Sequence, residues 1–309
     1  MIQYLYLGRV AYDEGLHLQE ELVALRLANR VGNVLLLLEH PPVLTLGRNA
    51  KRSNILASDE LLASRGVTVH EINRGGDVTY HGPGQLVGYP IFDLHSLRNS
   101  SAGRLGPVDF VRMIEEVLIR LCAVYGVRAG RVGGLTGVWC GLADGGLFDD
   151  PGGRRPLEES GSGTDKSRKI GAIGIHVSHG ITSHGFAFNV ATDLRDFRLI
   201  NPCGLTDHPV TSLEREVAEP FDLPNLEDIA HQAARQVGHV FGEQVLAVES
   251  LAAFRTQDSN SSAPPAQTPA PEVVAKQQLV APQVPEDTPV RVPHEVERLH
   301  GIVDRPVRA

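Results

Sequence analysis

The chain has 309 residues, 42% of them hydrophobic and 21% charged, so it can form one or two domains with a sizeable core. Its formal net charge of -8 argues against non-specific binding to nucleic acid, and we expect no nucleic-acid partner. The longest aliphatic run, residues 34–38, is too short to span a bilayer, so we expect no membrane partner.

Hydrophobic periodicity predicts helices and strands over the first 250 residues. In chain order they are a helix over residues 13–29, strands over 33–39 and 43–46, a short helix over 58–66, strands over 67–72 and 86–92, a helix over 108–125, strands over 136–140, 170–177 and 186–190, a helix over 225–241 and a last strand over 244–248. Because strands and helices do not alternate strictly, the pattern indicates an α+β (mixed α/β) fold.

Two segments have a composition that is typical of disorder. Residues 141–167 are rich in Gly, Asp, Arg and Ser, and nine of the 20 prolines lie from residue 257 to the end. We therefore predict one catalytic domain over residues 1–255, with a flexible insertion at 141–167, and a Pro-rich, disordered tail over 256–309.

The three cysteines differ in their local context. Cys122 lies on the apolar side of the predicted helix 108–125 and Cys140 ends an apolar strand, so both are expected to be buried structural thiols. Cys203 lies between Pro202 and Gly204, in a turn, where a thiol can be exposed and reactive. An odd number of widely spaced cysteines and the lack of a secretion signal indicate reduced thiols and a cytoplasmic location.

The histidines raise two possible roles, a metal site and a catalytic partner for Cys203. His176, His179 and His184 are close in sequence, but their spacing matches no zinc pattern, and we expect no metal site and no cofactor. A second reading pairs Cys203 with a histidine as in papain-like enzymes, although the local signature of a papain nucleophile is absent. The candidates for that pairing are His81, His184 and His208.

The stretch RGGDVTYHGPGQ at residues 74–85 is neither a Walker loop nor a dinucleotide fingerprint, because it lacks the Gly-Lys-Ser/Thr ending and no helix pattern follows. It could be a glycine-rich hairpin turn. It could also be a loop whose bare backbone lets an extended ligand lie against it. For an acyl chain the apolar wall would come from the neighbouring Ile72, Val78, Leu86 and Val87.

Four motifs together resemble one enzyme family. These are residues 74–85, KIGAIGI at 169–175, GFAFNV at 185–190 and NPCG at 201–204. In their order and content they are similar to the octanoyl-[acyl carrier protein]:protein N-octanoyltransferases, or lipoyl transferases, over most of residues 1–250. The resemblance implies a single catalytic domain similar to the catalytic fold of the biotin and lipoate ligases.

The same resemblance implies a reaction and its residues. The octanoyl group moves from octanoyl acyl carrier protein to a lysine of the lipoyl domains of 2-oxoacid dehydrogenases or of the glycine-cleavage H protein, the first step of protein lipoylation. Cys203 is implied as the acyl-accepting nucleophile and Lys169 as the residue that activates it. The implied substrate-binding residues are Arg74, Gly75, Gly76, Asp77, Val78, Thr79, Tyr80 and His81 in one segment, Ala172, Ile173 and Gly174 in a second, and Gly185, Phe186 and Ala187 in a third.

An ATP-dependent lipoate-protein ligase of the same fold is the alternative function. A ligase activates its acid as an adenylate and needs no thiol, so Cys203 in its turn argues against that alternative. A requirement for ATP would distinguish the two enzymes.

Overall fold

The computed structural model describes residues 1–97, 105–142, 167–201, 209–218 and 222–255. The first elements are β1 (Ile2–Arg9), α1 (Tyr12–Leu27), β2 (Asn33–Glu39), β3 (Val43–Leu46), α2 (Asp59–Ser64), β4 (Thr68–Glu71), β5 (Val78–His81) and β6 (Gln85–Ile91). The later ones are α3 (Pro107–Val124), β7 (Ala129–Val132), β8 (Leu135–Cys140), β9 (Arg168–Ser178), β10 (Ile181–Asn189), α4 (Leu213–Glu216), α5 (Leu226–Phe241), β11 (Val245–Ala247) and α6 (Leu251–Arg255).

The strands of the described residues form two sheets. The larger sheet has the order β11-β1-β2-β6-β10-β9-β8-β7, and the smaller one the order β4-β3-β5. In the larger sheet β11, β1 and β2 run parallel, and from β2 onward neighbouring strands are antiparallel. This mixture of helices with a mostly antiparallel sheet confirms the predicted mixed α/β class.

The larger sheet is covered by helices on both faces. On β2, Leu35 and Leu37 pack in the cluster that contains α3 and α5, whereas Leu36 and Leu38 pack in the cluster on the α1 side. A strand buried on both faces needs an unbroken apolar run instead of alternation, which explains the sequence of β2. Burying one such leucine stabilises the fold by about 1.5–3 kcal/mol.

Capping residues mark the start of α2 and both ends of α5. Ser58 accepts a hydrogen bond from the backbone N–H of Leu61 at the start of α2, and Asn225 accepts one from Asp228 at the start of α5. α5 ends at Gly242, whose φ of 65° suits glycine. These signals explain why the helix predictions are accurate to within a few residues.

A short backbone contact joins the two sheets. The N–H of Gly75 donates to the carbonyl oxygen of Ile175 on β9 over 2.9 Å. A Cβ at Gly174 would lie only 2.7 Å from the carbonyl oxygen of Gly75, so glycine is needed there for the close approach. The glycine-rich stretch is therefore joined to β9 through its backbone.

Most of the predicted elements are confirmed, and three strands were missed. β1 was not predicted, β7 pairs with the predicted β8, and residues 78–81 form β5 where a hairpin turn was one expectation. Residues 143–166 and 256–309 lie outside the described residues, so the predicted insertion, tail and domain boundary stay predictions. Among the described residues no helix is both long and apolar enough to cross a membrane.

Gly185→Ala should destabilise the fold. The added Cβ would overlap the carbonyl oxygen of Gly88 on β6 and lie 2.6 Å from Cδ of Pro90, so the two strands must separate. We expect the free energy of unfolding, measured in urea, to fall by about 1–3 kcal/mol. Gly32→Ala is the control, because a Cβ there meets nothing within 4 Å. Equal stabilities of the two variants would contradict this close packing.

Candidate active site

A cavity of about 470 Å³ lies between the larger sheet and the glycine-rich stretch. Its walls come from β6, β8, β9 and β10, from residues 74–81 and from Tyr12 at the start of α1. The volume falls within the range of small-molecule sites, which is about 300–1,000 Å³.

The floor of the cavity is a row of small side chains across three strands. Ala187 on β10 pairs with Val87 on β6 and with Ala172 on β9. Two residues further along, Gly185 pairs with Gly174. Residues two apart share a face of a sheet, so these positions form a shallow apolar slot.

A β-bulge turns Lys169 into the cavity. Along β8 and β9, Val138 pairs with Gly171 but the next residue, Trp139, pairs with Lys169, so β9 has one extra residue. In a regular strand Lys169 and Ala172 would face opposite sides, because they are three residues apart. With the bulge Lys169 and Ala172 share the face of β9 that lines the cavity. Ile170 also borders the cavity, but its side chain packs in the cluster that contains α3.

The surroundings of Lys169 fix both its backbone and its side chain. Its N–H donates to the carbonyl oxygen of Pro209 over 2.9 Å, and its carbonyl oxygen accepts from the N–H of Thr211 over 2.9 Å. The ammonium lies 4.6 Å from the ring centroid of Trp139, which is cation–π distance. The chain therefore returns to the cavity directly beside Lys169.

Cys203 and His208 belong to residues 202–208, which lie outside the described residues. The role of Cys203 as nucleophile therefore stays a prediction. The residue before this segment, Asn201, donates its N–H to the carbonyl oxygen of Asn54 over 2.7 Å. The side chain of Asn54 in turn donates to the carboxylate of Asp77, which lines the cavity.

The other two cysteines are buried, as predicted. Burial raises the pKa of the Cys140 thiol to about 12 and the pKa of the Cys122 thiol well above its usual value. Because the thiolate is the reactive form of cysteine, neither residue suits a nucleophile.

The glycine-rich stretch supplies the opposite wall. The guanidinium of Arg74 is buried and donates to the side chain and the carbonyl oxygen of Thr45 on β3, so it is held against the smaller sheet. Six of the eight predicted residues of this stretch line the cavity: Arg74, Gly76, Asp77, Val78, Thr79 and His81. Gly75 makes the contact with β9, and Tyr80 packs against Phe197 and donates its hydroxyl to Asp196.

The other predicted segments also lie at the cavity. Its lining includes Ala172, Ile173 and Gly174 of β9 and Gly185, Phe186 and Ala187 of β10. Of the four residues expected to form an apolar wall, Val78 and Val87 line the cavity. Ile72 is not part of the lining, and Leu86 faces the helices on the other side of the sheet. The expectation for Leu86 was wrong because neighbouring residues of a strand face opposite sides.

A chain of buried amides orients His81. Gln85 donates its amide N–H groups to the carbonyl oxygen of Tyr80 and to Asn189, so its oxygen is left to accept from Nδ1 of His81 over 2.7 Å. Asn189 donates in turn to the carbonyl oxygen of Thr211 over 2.9 Å. This assigns the proton of His81 to Nδ1 and leaves Nε2 as an acceptor.

His81 and His184, which line the cavity, and His40, whose ring lies 6.1 Å from that of His81, are uncharged at neutral pH. Burial is the main cause that lowers the pKa of His81 to about 3 and the pKa values of His40 and His184 to about 4. His40 is fixed between the carbonyl oxygen of Val10 and the hydroxyl of Tyr89. In the described parts of the chain no group of three His, Cys, Asp or Glu side chains is placed to hold a metal ion.

Sequence reasoning did not assign Tyr12, Gln85, Tyr89 or Asn189 to the site. Gln85 ended one motif and Asn189 was the one polar residue in another, and a polar residue within or after a glycine-rich or apolar run was a usable signal. Tyr12 and Tyr89 carried no such signal, because only the packing of α1 against β6 brings them to the cavity.

Lowering the pH should destabilise the protein through these histidines. Their folded-state pKa values are depressed, so their contribution to stability is complete above pH 6.5 and is lost as the pH falls toward 4. Each can lower the free energy of unfolding by up to about 1.4 kcal/mol per pH unit between about pH 6.5 and 5, where carboxylates contribute little. Urea titrations across this window provide the measurement.

His81→Gln should reduce the pH slope, whereas His17→Gln, at an exposed position of α1, should leave it as in the wild type. A stability that does not change between pH 6.5 and 5 would show that these imidazoles are not held neutral.

The fold defines a class of enzymes. The family model described as "Lipoyl protein ligase A/B catalytic domain" matches residues 11–235. Among solved structures the chain is similar to a bi-partite lipoate protein ligase from Thermoplasma acidophilum, with TM-score 0.54 and 15% identity, covering 81% of this chain and 88% of that one. It is also similar to a lipoate-protein ligase A bound with ATP, with TM-score 0.51 and 15% identity, covering 81% and 90%. At these identities the structures show the fold alone, and the predicted ligase-like catalytic fold is confirmed.

More similar relatives identify the group within this class. The octanoyltransferase of Acidobacterium capsulatum is 59% identical over 251 residues, which cover 81% of this chain and 94% of the relative. The octanoyltransferase of Koribacter versatilis is 45% identical over 300 residues, which cover 97% of each chain. The chain therefore belongs to the octanoyltransferases, which are acyltransferases of protein lipoylation.

Proposed function

We propose that this octanoyltransferase carries its acyl group as a thioester on Cys203, with Lys169 as the second member of a catalytic dyad. The donor is octanoyl acyl carrier protein, and the acceptor is a lysine of a lipoyl domain or of the glycine-cleavage H protein. The bulge in β9 is the observation that carries the proposal. It brings Lys169, the only lysine that lines the cavity among the described residues, beside Pro209, where the chain continues after the segment that contains Cys203.

Chain connectivity supports placing the thiol at the cavity. Cys203 follows Asn201 by two residues, and two trans peptide units span at most about 7.6 Å. Asn201 is hydrogen-bonded to Asn54, and Pro209, at the other end of the segment, is hydrogen-bonded to Lys169. Both anchors adjoin cavity residues, so the segment that carries Cys203 starts and ends at the site.

The first half-reaction exchanges one thioester for another. The unperturbed pKa of cysteine is near 8.5, so only a few per cent of the thiol is ionised at neutral pH. An ammonium beside the sulfur favours the thiolate. The thiolate attacks the donor's thioester carbon and the bond from that carbon to the donor sulfur breaks. The released donor thiolate takes up a proton from the Lys169 ammonium, which leaves that amine neutral.

The second half-reaction forms an amide. The amine of the acceptor lysine attacks the Cys203 thioester, the carbon–sulfur bond breaks, and Cys203 leaves as a thiolate. The attacking amine must lose a proton, and Lys169 in its neutral form can accept it. An amide is more stable than a thioester, so this step drives the transfer forward.

The slot suits the rest of the substrate. Val87, Ala172 and Ala187 offer apolar surface, and each methylene buried there contributes about 0.8 kcal/mol of binding free energy. The polar groups of the cavity lie at its walls: the histidines are uncharged, and the guanidinium of Arg74 is bound to Thr45.

Incubation with octanoyl acyl carrier protein and no ATP should increase the intact mass of the protein by one octanoyl group. Peptide mapping should place the group on Cys203, because Cys122 and Cys140 are buried thiols of raised pKa. Acylation of Cys122 or Cys140, or no adduct with a competent donor, would contradict the thioester proposal. Transfer that requires free acid and ATP would indicate the ligase instead.

Lys169→Arg tests the proton-transfer role of Lys169. Arginine keeps the positive charge but stays protonated in proteins, so it cannot accept a proton from the acceptor amine. We expect overall turnover to fall by at least about a hundredfold, while single-turnover acylation of Cys203 survives in part. Near-normal turnover of the arginine variant would leave Lys169 with an electrostatic role only.

A further inference from the structure

Glu115 is a carboxylate in the middle of α3 whose side chain is fully buried. Every other buried residue of α3 is apolar. A charge in such a place destabilises the fold unless several donors compensate it. Its contacts therefore indicate what this residue holds in place.

The carboxylate binds groups from three elements. Its Oε2 accepts from Arg112 of α3 over 2.7 Å and from Arg131 of β7 over 3.1 Å. Its Oε1 accepts from the backbone N–H of Gly137 on β8 over 3.0 Å. One side chain thus ties α3 to both strands of the hairpin formed by β7 and β8.

The side chain of Lys169 packs against β8, the strand that Glu115 binds. A Cβ at Gly137 would lie 3.1 Å from Cε and 3.5 Å from Nζ of Lys169, so the lysine side chain passes directly over this glycine. Trp139, two residues further and on the same face of β8, lies 4.6 Å from the ammonium. Gly137 has a φ of 126°, a conformation that suits glycine and turns its N–H to Glu115.

We propose that Glu115 is a positioning residue for Lys169, acting through Gly137 and the hairpin of β7 and β8. The inference rests on the proposed function, in which the ammonium of Lys169 favours the thiolate of Cys203. The carboxylate can accept hydrogen bonds at both oxygens, from the two arginines and from Gly137 at once. A glutamine has one acceptor oxygen, so it must present an N–H₂ group either to the guanidinium groups or to the N–H of Gly137.

Glu116 provides a matched control on the same helix. It accepts from Arg120 over 2.8 Å and from Arg131 over 3.0 Å, but it is 30% exposed and its contacts do not include Gly137. Glu116→Gln therefore removes a carboxylate that also binds Arg131, but it leaves the hydrogen bond between Glu115 and Gly137 in place.

The experiment measures the rate of alkylation of Cys203 by iodoacetamide against pH in the full chain, with peptide mapping to exclude Cys122 and Cys140. In the wild type we expect a midpoint clearly below the unperturbed value of about 8.5. Lys169→Met should raise the midpoint toward that value. Glu115→Gln should raise it in the same direction by about half a pH unit or more, and Glu116→Gln should leave it unchanged.

Gly137→Ala provides a second variant that leaves the carboxylate and its arginines in place. Its Cβ would lie 2.6 Å from the carbonyl oxygen of Gly171 on β9 and 3.1 Å from Cε of Lys169, so the surface beneath the lysine must shift and the midpoint should rise as in Glu115→Gln. Gly126→Ala is its control, because Gly126 also has a positive φ, of 71°, but a Cβ there meets nothing within 4 Å. This pair separates displacement of β9 and Lys169 from the strain of a positive φ, even if Glu115→Gln folds poorly.

The outcomes distinguish a failure of the proposed Cys203–Lys169 dyad from a failure of the positioning role of Glu115. A midpoint that Lys169→Met does not move would overturn the proposed dyad itself. If Lys169→Met raises the midpoint while Glu115→Gln and Gly137→Ala keep the wild-type value, Glu115 has a structural role only and the inference fails. A lowered melting temperature of Glu115→Gln with an unchanged midpoint is the signature of that structural role.

Discussion

The bulge at Lys169 is the constraint on which the site depends. A regular β9 would point Lys169 and Ala172 to opposite faces of the sheet, so the ammonium of Lys169 and the apolar slot could not share one cavity. The extra residue breaks the alternation once, and the rows of small side chains beyond it keep their register with β10. The N–H of Lys169 donates to Pro209 and its carbonyl oxygen accepts from Thr211, and these two hydrogen bonds stabilise the irregular pairing at that point.

The sequence predicts the regular elements well, because their apolar periodicity and caps are local signals. The run of leucines in β2 and the apolar face of α3 both lie where the pattern places them. The short strands β5 and β7 were missed, since four residues that contain or adjoin glycine give too little periodicity. The mixed α/β class follows from the order of elements and is confirmed.

Less of the candidate site than of the fold could be predicted from the sequence. Resemblance to a family located the motifs, and the structure brings three of them together around one cavity. The bulge, the amide chain from His81 to Thr211 and the support of Lys169 by Glu115 depend on pairing between segments far apart in sequence. A side chain such as Glu115 appears in the sequence as one more charged residue on a helix, and only its burial and its partners distinguish it from Glu116.

The pairing of β8 with β9 also has a consequence for how this chain tolerates changes in length. Cys140 pairs with Arg168, so the chain between these residues closes a loop whose ends are already fixed. A change of length between the two strands need not disturb this pairing. A residue added or removed between Lys169 and Gly171, in the bulge, would instead change the register of β9 against β8.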